Sequence, residues 1–552
     1  MPYMSDKRFI KWAGVILVIF YVGFALYDGP VWAKDSASYT GMTISREPVY
    51  PLFLAFFRMI FGEETGRNGL PAYLFPAVIA QALVNAYAVW VLVRAVLDAG
   101  GPVPFVTSPI FLAALAGDFQ LIVALLNRFV AGRGSMYSEA ILTESLAMPL
   151  YLIFVVRLWE TYQDVTGGLS PVSPLFGDMG TVPSVTSCKA ASSHLRLAII
   201  AFLLIGLRKQ MAVVLVLWGV VAVIKCVRGT GTLTHQVTFR TVPFVTVLTI
   251  FLVLLANNGF ERAYNAAVHD RAVLHTGNGK GLMCTLLYSA DPDEDAVSFQ
   301  NCQTGGLCEL FTEILAVCDE MGILKKNFDE GTVRYYIDTQ GQQTEGTAEE
   351  AFEEALARVR GSGSTLRETT PSLSNAHGSW LALGEHYAAS YDIIGYEVCD
   401  PMITAYLAER GFTGVDAEIA YDTIAQEFNR VLMKQGKGDL LEVFCINFAK
   451  GLVATNARIH PVLVPVSMLL YVLYVVVYIM LRRTVPFVTS NRIGTLRLAE
   501  ITFLAILVNT GVVSLMIFPQ PRYMIYNMGL FYTALAMMAA ALSQAHRHAP
   551  AK

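Results

Sequence analysis

The chain alternates between long apolar runs and short polar segments over most of its length. A helix needs roughly 20 mostly apolar residues to cross the hydrocarbon core of a bilayer. The apolar runs therefore predict a mainly α fold, a polytopic transmembrane helical bundle of about ten to twelve spans. They lie at residues 9–26, 71–95, 104–126, 138–157, 195–207, 210–225, 241–257, 461–481, 498–517 and 524–543.

One long stretch, 258–458, interrupts this pattern. It holds about two hundred residues, enough to bury a core of its own, and it reads as mostly helical, with helices predicted at 347–360, 416–435 and 439–456. The pattern divides the chain into an N-terminal transmembrane block at 1–257, the insert at 258–458 and C-terminal transmembrane helices at 459–552. The first outer loop covers 27–70.

Composition supports a membrane protein. Hydrophobic residues make up 54% of the chain and charged residues only 15%, whereas soluble domains average about 25% charged residues. Nothing in this composition suggests a nucleic-acid-binding surface, so the expected partners include membrane lipids and no nucleic acid.

The basic residues predict the orientation of the spans. Lys7, Arg8 and Lys11 precede or begin the first span, which places the N-terminus in the cytoplasm. Alternation of the spans then puts the C-terminus in the cytoplasm and 258–458 outside. No Asn-x-Ser/Thr sequon occurs in 258–458, which favours a bacterial inner or plasma membrane as the cell membrane concerned.

Cysteine usage agrees with an extracytoplasmic insert. An even set of six in an oxidising compartment predicts a disulfide-bonded domain, with fifteen possible connectivities. The disulfide candidates are Cys284, Cys302, Cys308, Cys318, Cys399 and Cys445.

Metal binding has weaker support. His269, His275, His377 and His386 show no ligand spacing typical of a metal site. The sequence therefore predicts no protein metal site.

Polar residues gather at the predicted outer ends of the spans. Asp28 and Asp35 follow the first span, and an Arg-Glu-Pro-Val-Tyr-Pro segment at 46–51 runs into an apolar helix. Glu139 and Glu144 open another apolar run, and an ionised carboxylate in hydrocarbon is disfavoured by roughly a few kcal/mol. Glu144 should therefore face a polar cavity or a partner.

Cations also occur at this predicted outer face, where short loops usually lack them. They are Arg46, Arg208, Lys209 and Arg522. An anionic ligand would explain them, and a phosphate fits best because arginine matches its oxygens bidentately.

Each of these residues also has an ordinary structural explanation. Asp35 could be a solvated loop acid, and Arg46 or Arg522 alone could be an interface anchor. Glu144 could pair with Arg133 for packing, and the basic corner at 208–209 could be cytoplasmic if the span count is wrong.

The order of the motifs resembles the GT-C superfamily of membrane glycosyltransferases, in the class that contains protein O-mannosyltransferases and lipid A aminoarabinose transferases. The matching elements are Asp35-x-x-x-Tyr39, the segment 46–51, Leu-Thr-Glu-Ser-Leu at 142–146, the basic corner at 208 and Arg522-Tyr523. Some members of this superfamily carry Asp-Glu or Asp-x-Asp at the acidic residue of the first loop. Here Asp35 is followed by Ser36 and Ala37, so the second acidic residue is missing. That departure puts metal use in doubt.

The resemblance implies a mechanism. A polyprenyl-phosphate-linked sugar donor would enter from the outer leaflet, and its phosphate would be held by Arg208, Lys209, Arg522 and Arg46. Asp35 would be the general base on an acceptor hydroxyl, the reaction would invert the anomeric centre, and Glu144 would orient Asp35, a sugar hydroxyl or a metal.

The same resemblance implies the remaining partners. The acceptor would be a glycan, a lipid or a protein. It implies no certain cofactor, and use of a divalent cation, Mg²⁺ or Mn²⁺, stays open. The substrate-binding residues would be Tyr39, Tyr50, Glu47, Tyr523, Asp28 and Glu139.

Two other functions use the same external cations. A transporter or flippase of a lipid-linked anion would need them, but it predicts inverted repeats and broken helices at mid-bilayer. An envelope polysaccharide polymerase or ligase would share the chemistry and use an oligosaccharide donor.

Overall fold

The computed structural model describes residues 6–99, 108–129, 134–163, 184–228, 236–302, 304–331, 380–433, 437–457, 459, 462–483 and 490–547. These residues form helices and connecting turns, with isolated bridges and no β-strand among them. The mainly α fold is therefore confirmed. The predicted helix at 347–360 and the residue His377 lie outside the described residues.

The chain divides into two compact units. Unit 1 comprises 1–273, 453–509 and 521–552, and unit 2 comprises 274–452 and 510–520. The described helices of unit 1 are α1 Asp6–Asp28, α2 Ser36–Thr40, α3 Val49–Phe61, α4 Leu74–Ala99, α5 Pro109–Phe129, α6 Glu144–Gln163, α7 Ser184–Leu207, α8 Val213–Arg228 and α9 Gln236–His269. After unit 2 the chain adds α18 Leu463–Arg483, α19 Ser490–Met516, α20 Pro521–Met524 and α21 Met528–Arg547.

Eight helices in the described part of the chain are long and apolar enough to cross a membrane. They match eight of the ten predicted spans. The other two predicted spans correspond to α6 and to the apolar part of α7, Ser192–Leu207. α6 carries Glu144, Arg157 and Glu160 within its length, and the apolar part of α7 is short.

Helix α3 is too short to span. Its 13 residues extend about 20 Å, against about 30 Å of hydrocarbon. One face buries Tyr50 and Leu54, while Phe56 and Met59 are exposed. Such a one-sided helix is typical of one that lies in a membrane interface.

A glycine near the end of α7 brings α3 and α7 together. A Cβ on Gly206 would lie 2.5 Å from Cγ2 of Val49, closer than side-chain atoms approach in proteins. This close contact brings Arg208 and the first outer loop to the same place. Helix α4 lies at the centre of the bundle, and its buried Ala77, Ala82 and Ala86 let its neighbours pack closely.

Unit 2 has a helical core of its own. Its helices are α10 Asn278–Tyr288, α11 Pro292–Ser298, α12 Gly305–Glu320, α13 Lys325–Glu330, α14 Trp380–Ile393, α15 Asp400–Glu409, α16 Gly414–Leu432 and α17 Lys437–Asn456, whose last residues belong to unit 1. The rings of Phe299, Phe311 and Phe428 are all buried and lie 4.0–5.7 Å apart. Edge and tilted aromatic contacts of this kind add to the stability that buried area supplies.

The six cysteines of the insert are free thiols in the structure, so the predicted disulfide framework is not confirmed. Cys284, Cys318 and Cys399 are buried in the core of unit 2. Cys302 interacts with Cys308, whereas Cys445 is exposed.

Candidate functional site

Asp35 lies between two arginines. It stands directly before α2, and its Oδ1 is 3.0 Å from Nη2 of Arg46 while its Oδ2 is 3.5 Å from Nη1 of Arg522. The three side chains keep 27–32% of their surface exposed. We call these three residues the Asp35 cluster. Because they are only half-buried, a ligand could reach all of them.

Arg46 is held against α2 by further contacts. Its Nε donates to Ser38 Oγ at 2.7 Å and its Nη1 donates to the Tyr39 hydroxyl at 3.2 Å. The guanidinium also lies 4.5 Å from the centre of the Tyr39 ring. Burial raises the pKa of Tyr39 to about 12, so its hydroxyl keeps its proton at neutral pH. Arg46 is thus preorganised beside Asp35.

A second carboxylate and arginine lie beside this cluster. Nη1 of Arg208 is 2.7 Å from Oε1 of Glu144, and Thr143 Oγ1 donates to Oε2 of Glu144 at 3.2 Å. Glu144 is almost fully buried, with 2% of its side chain exposed, whereas Arg208 is 21% exposed. The Glu144–Arg208 pair meets the expectation that Glu144 faces a partner. Arg133, the partner considered from sequence, is outside the described residues.

The ring of Tyr523 connects the two groups. Arg208 lies 4.4 Å from its centre and Arg522 lies 4.8 Å from it. The buried Nε of Arg522 has no hydrogen-bond partner in the described part of the chain. Together, the Asp35 cluster and the Glu144–Arg208 pair contain three arginines and two carboxylates. One positive charge is left over for an anion.

Lys209, which was predicted as a phosphate ligand, has partners within the protein. Its Nζ pairs with the Glu261 carboxylate and donates to Asn257 Oδ1 at 3.1 Å. Its backbone N–H donates to Oε1 of Glu47 at 2.6 Å. Lys209 is thus held by the first outer loop and by α9. Among the predicted phosphate ligands, it has the most anionic surroundings.

The predicted substrate-binding tyrosine Tyr50 lies inside the protein. It is 0% exposed, its hydroxyl accepts a hydrogen bond from Gln81 Nε2 at 2.8 Å, and its ring packs on Tyr39 at 5.1 Å. These contacts fit a supporting role beneath Tyr39. Glu47 is also nearly buried, at 9% exposure.

Asp28 and Glu139, two further predicted substrate contacts, belong to a separate buried group. Arg128 binds both oxygens of Asp28, with Nη2 at 2.8 Å from Oδ1. Its Nη1 also lies 3.4 Å from Oε2 of Glu139. Arg128 is 9% exposed and Glu139 is 0% exposed. We call these three residues the Arg128 cluster.

The environment of Glu139 changes its acidity. Burial, together with the neighbouring Asp28 carboxyl, raises the pKa of Glu139 to about 8. The backbone N–H of Met136 donates to Oε2 of Glu139 at 3.0 Å. Glu139 therefore keeps its proton to a higher pH than an ordinary carboxyl group does.

Backbone hydrogen bonds join the first outer loop to the segment that leads into α6. The Val31 N–H donates to the Glu139 carbonyl at 3.0 Å, and the Ile141 N–H donates to the Val31 carbonyl at 3.0 Å. Buried Ser36 donates through Oγ to the Ile141 carbonyl at 2.9 Å and accepts from the Ala33 N–H at 2.8 Å. Ser36 therefore anchors Asp35 near Glu144.

Arg128 was not among the residues predicted from sequence. A signal was present, because it follows the predicted span 104–126 on the same predicted outer side as Arg46 and Arg522. The rule that short external loops lack cations applies to it equally.

Metal binding gains no support in the described residues, where no group of three or more His, Cys, Asp or Glu side chains could hold an ion. The two carboxylates of the site each face arginine. The nearby cations are therefore the groups available there to stabilise an anion.

Comparison with known proteins gives no assignment. No protein-family model matches the chain, and neither a curated protein nor a solved structure does. The case for a function rests on the sequence motifs and on the geometry of the site.

Proposed function

We propose that the chain is an integral membrane glycosyltransferase that transfers a sugar from a polyprenyl-phosphate donor to an acceptor hydroxyl. The observation that carries the proposal is Asp35 between Arg46 and Arg522, next to the Glu144–Arg208 pair. A half-exposed carboxylate beside surplus positive charge suits a reaction in which a base acts next to a departing phosphate. The GT-C resemblance of the motifs agrees with it.

In this proposal the donor phosphate binds Arg208 and Arg522. Both guanidiniums lie over the Tyr523 ring, and the unpartnered Nε–H of Arg522 offers a donor for a phosphate oxygen. Charge-assisted hydrogen bonds of this kind are short and strong. Lys209 would act from a distance, because Glu261 and Asn257 already hold its Nζ.

Asp35 takes the proton of the acceptor hydroxyl in the proposed reaction. The hydroxyl oxygen forms a bond to the anomeric carbon while the bond from that carbon to the phosphate oxygen breaks. The electron pair stays on the phosphate, where Arg208 and Arg522 stabilise the new charge. Attack opposite the phosphate inverts the anomeric centre, and the products are the glycoside and the polyprenyl phosphate.

Glu144 holds Arg208 in this scheme. It is buried and bonded to Arg208 at 2.7 Å, so a role in positioning that arginine accounts for its place better than direct proton transfer. Arg46 positions Asp35 in a similar way, because hydrogen bonds to Ser38 and Tyr39 fix the Arg46 side chain.

Phosphate binding is tested with polyprenyl phosphate itself. We expect Arg522→Gln to weaken its binding to the detergent-solubilised protein by about tenfold or more, as removal of charged hydrogen bonds does. The matched control is Arg262→Gln on α9, which removes an exposed arginine. Equal affinities of the wild type and Arg522→Gln would contradict the proposed phosphate site.

The transfer step is tested with a panel of synthetic polyprenyl-phosphate hexoses and pentoses. Cell-envelope extract supplies acceptors, and release of free polyprenyl phosphate is measured. Asp35→Asn should lower the release about 100-fold or more and keep polyprenyl-phosphate binding. The control Glu63→Gln removes an exposed acid of the same outer loop. Full activity of Asp35→Asn would exclude Asp35 as the general base.

The transporter alternative predicts a different result in the same assay. A flippase would move the lipid-linked sugar between leaflets and release no free polyprenyl phosphate with any donor. Transport without release by the wild type would replace the transferase proposal.

We also propose that α6 and α7 cross the membrane, so that the chain has ten spans. The protein would then lie in the cell membrane with both termini on its cytoplasmic side. Epitope tags at the two termini should then be protected equally in sealed right-side-out cells. Accessibility of only one tag would require an odd number of spans.

We also propose that Cys302 and Cys308 form a disulfide. Cys302 interacts through its side chain with Cys308, at the start of α12. Exchange with the disulfide of an extracytoplasmic oxidoreductase would join the two sulfurs and reduce that enzyme's disulfide to two thiols. Non-reducing peptide mapping of protein from intact membranes should show this linkage. Recovery of both residues as free thiols would exclude it.

A further inference from the structure

A polar cavity lies in unit 1 between α4, α6 and α7. Its volume is about 290 Å³, and its lining includes Tyr87, Trp90, Arg94, Arg157, Glu160 and Arg196. None of these residues belongs to the Asp35 cluster, to the Arg128 cluster or to the Glu144–Arg208 pair.

The cavity lies at the helix ends opposite to the candidate functional site. Along α6, Arg157 is thirteen residues beyond Glu144, which corresponds to about 20 Å. Along α7, Arg196 is eleven residues before Leu207, which corresponds to about 17 Å. In a membrane-spanning bundle, these distances place the cavity near the other surface of the bilayer.

The charges of the cavity favour an anion. Arg94 lies 3.7 Å from Asp98, and Arg157 lies 2.6 Å from Glu160. Arg196 is exposed and has no ionic partner in the parts of the chain that the structure describes. Three arginines therefore face two carboxylates, and one positive charge remains uncompensated.

The two ion pairs would yield readily to a ligand. Their side chains are 30–70% exposed, and exposed pairs of this kind contribute about 1 kcal/mol or less. The arginines can turn toward a phosphate at small cost.

Aromatic side chains mark one wall of the cavity as a membrane–water interface. The rings of Tyr87 and Trp90 stack at 6.0 Å, and Arg94 lies 5.7 Å from the centre of a Trp90 ring. Trp90 donates from Nε1 to the Ile10 carbonyl of α1 at 3.2 Å, which fixes its position. Tryptophan and tyrosine are enriched at the level of lipid headgroups.

We propose that this cavity binds the phosphate of an anionic phospholipid headgroup, in the leaflet opposite to the Asp35 cluster. Arginine binds phosphate oxygens bidentately, and basic pockets between transmembrane helices take anionic headgroups. The lipid would bridge α4, α6 and α7 at one surface while the donor binds at the other.

The test uses the purified full chain and native mass spectrometry with added phosphatidylglycerol or phosphatidylcholine. The wild type should retain phosphatidylglycerol preferentially. Arg196→Gln should weaken that retention about fivefold, and the double variant Arg94→Gln with Arg196→Gln about 25-fold, as expected per basic residue at a membrane surface. The control Arg483→Gln removes an exposed arginine at the end of α18 and should change nothing.

Three results would overturn the proposal. They are equal retention of the two lipids by the wild type, the same loss in Arg483→Gln, and displacement of the lipid by inorganic phosphate, which would assign the cavity to a soluble phosphate. If the double variant does not fold, Arg196→Gln alone decides, because its side chain is exposed.

Discussion

The Asp35 cluster and the Arg128 cluster have similar chemistry and opposite surroundings. Each consists of arginine and carboxylate side chains, and each touches the first outer loop. In the Asp35 cluster the side chains are 27–32% exposed. In the Arg128 cluster they are 0–14% exposed.

This difference in burial separates two roles. Exposed ion pairs contribute little to stability, so the Asp35 cluster can open for a ligand at small cost. Removing one partner of a buried pair leaves an uncompensated charge and destabilises strongly. The Arg128 cluster is therefore suited to hold together the segments that carry Asp35 and Glu144.

The largest effect is expected from Arg128→Met, which leaves the nearly buried Asp28 carboxylate without its cation. The free energy of unfolding should fall by about 3–5 kcal/mol. The matched change in the half-buried Asp35 cluster, Arg46→Met, should cost less, about 1–2 kcal/mol, because its ion pair is partly solvated and its hydrogen bonds are only half-buried. Denaturant unfolding in detergent measures both.

The same pair of variants should separate stability from function. Arg46→Met should lose activity in the transfer assay while it stays folded. Similar losses of stability in Arg46→Met and Arg128→Met would end the distinction between the clusters.

The next largest effect is a pH dependence of the free energy of unfolding, which comes from Glu139 in the Arg128 cluster. The pKa of Glu139 is raised to about 8 from about 4.5, so the folded protein binds a proton that the unfolded chain releases between these values. The contribution of Glu139 to stability is therefore fully present below about pH 4.5 and is lost as the pH rises through about 8.

Glu139→Gln tests this by removing the titrating group. The wild type should lose stability from mildly acidic to alkaline pH, and the variant should lose less over the same interval. Asp35→Asn serves as the control and should keep the wild-type slope. An unchanged slope in Glu139→Gln would show that Glu139 does not carry the raised pKa.

A smaller effect is expected at Ser36, which joins the first outer loop to the segment that leads into α6. Ser36→Ala removes the buried hydrogen bond to the Ile141 carbonyl and the half-buried one from the Ala33 N–H. The expected loss is about 1–3 kcal/mol, together with lower transfer activity because Asp35 moves relative to Glu144. Ser38→Ala loses two half-buried hydrogen bonds, one accepted from Arg46 Nε and one donated to the Asp35 carbonyl, and should cost less because neither bond is fully buried. A larger cost for Ser38→Ala would contradict the anchoring role of Ser36.

Much of the candidate site could be predicted from charges in unfavourable places. Asp35, Arg46 and Arg522 were predicted as functional and lie together. Glu144 was expected to have a partner and pairs with Arg208. That these charged residues lie together and in ion pairs follows because a charge at a membrane surface costs free energy whatever the details of packing; their function stays a prediction.

Other features depended on packing and could not be predicted. Tyr50 and Glu139 were expected to contact substrate but are fully buried, and Lys209 already has its partners in Glu261 and Asn257. Residue type and spacing do not reveal which side of a short loop segment turns inward. In the sequence, Ser36 was noted only because it stands where some relatives have a second acidic residue. In the structure, its hydroxyl binds the Ile141 carbonyl and anchors the first outer loop.

The sequence by itself determined that this is a helical membrane protein and which polar residues stand at the ends of its spans. Hydrophobic run length decides both, because a run of about 20 apolar residues fits a spanning helix, and a helix satisfies its backbone hydrogen bonds within itself in lipid. Only the tertiary structure decided that the Asp35 cluster is partly exposed to solvent and that the Arg128 cluster is buried. Burial and partner choice arise from contacts between residues far apart in the chain, such as Arg128 with Asp28 and Arg522 with Asp35.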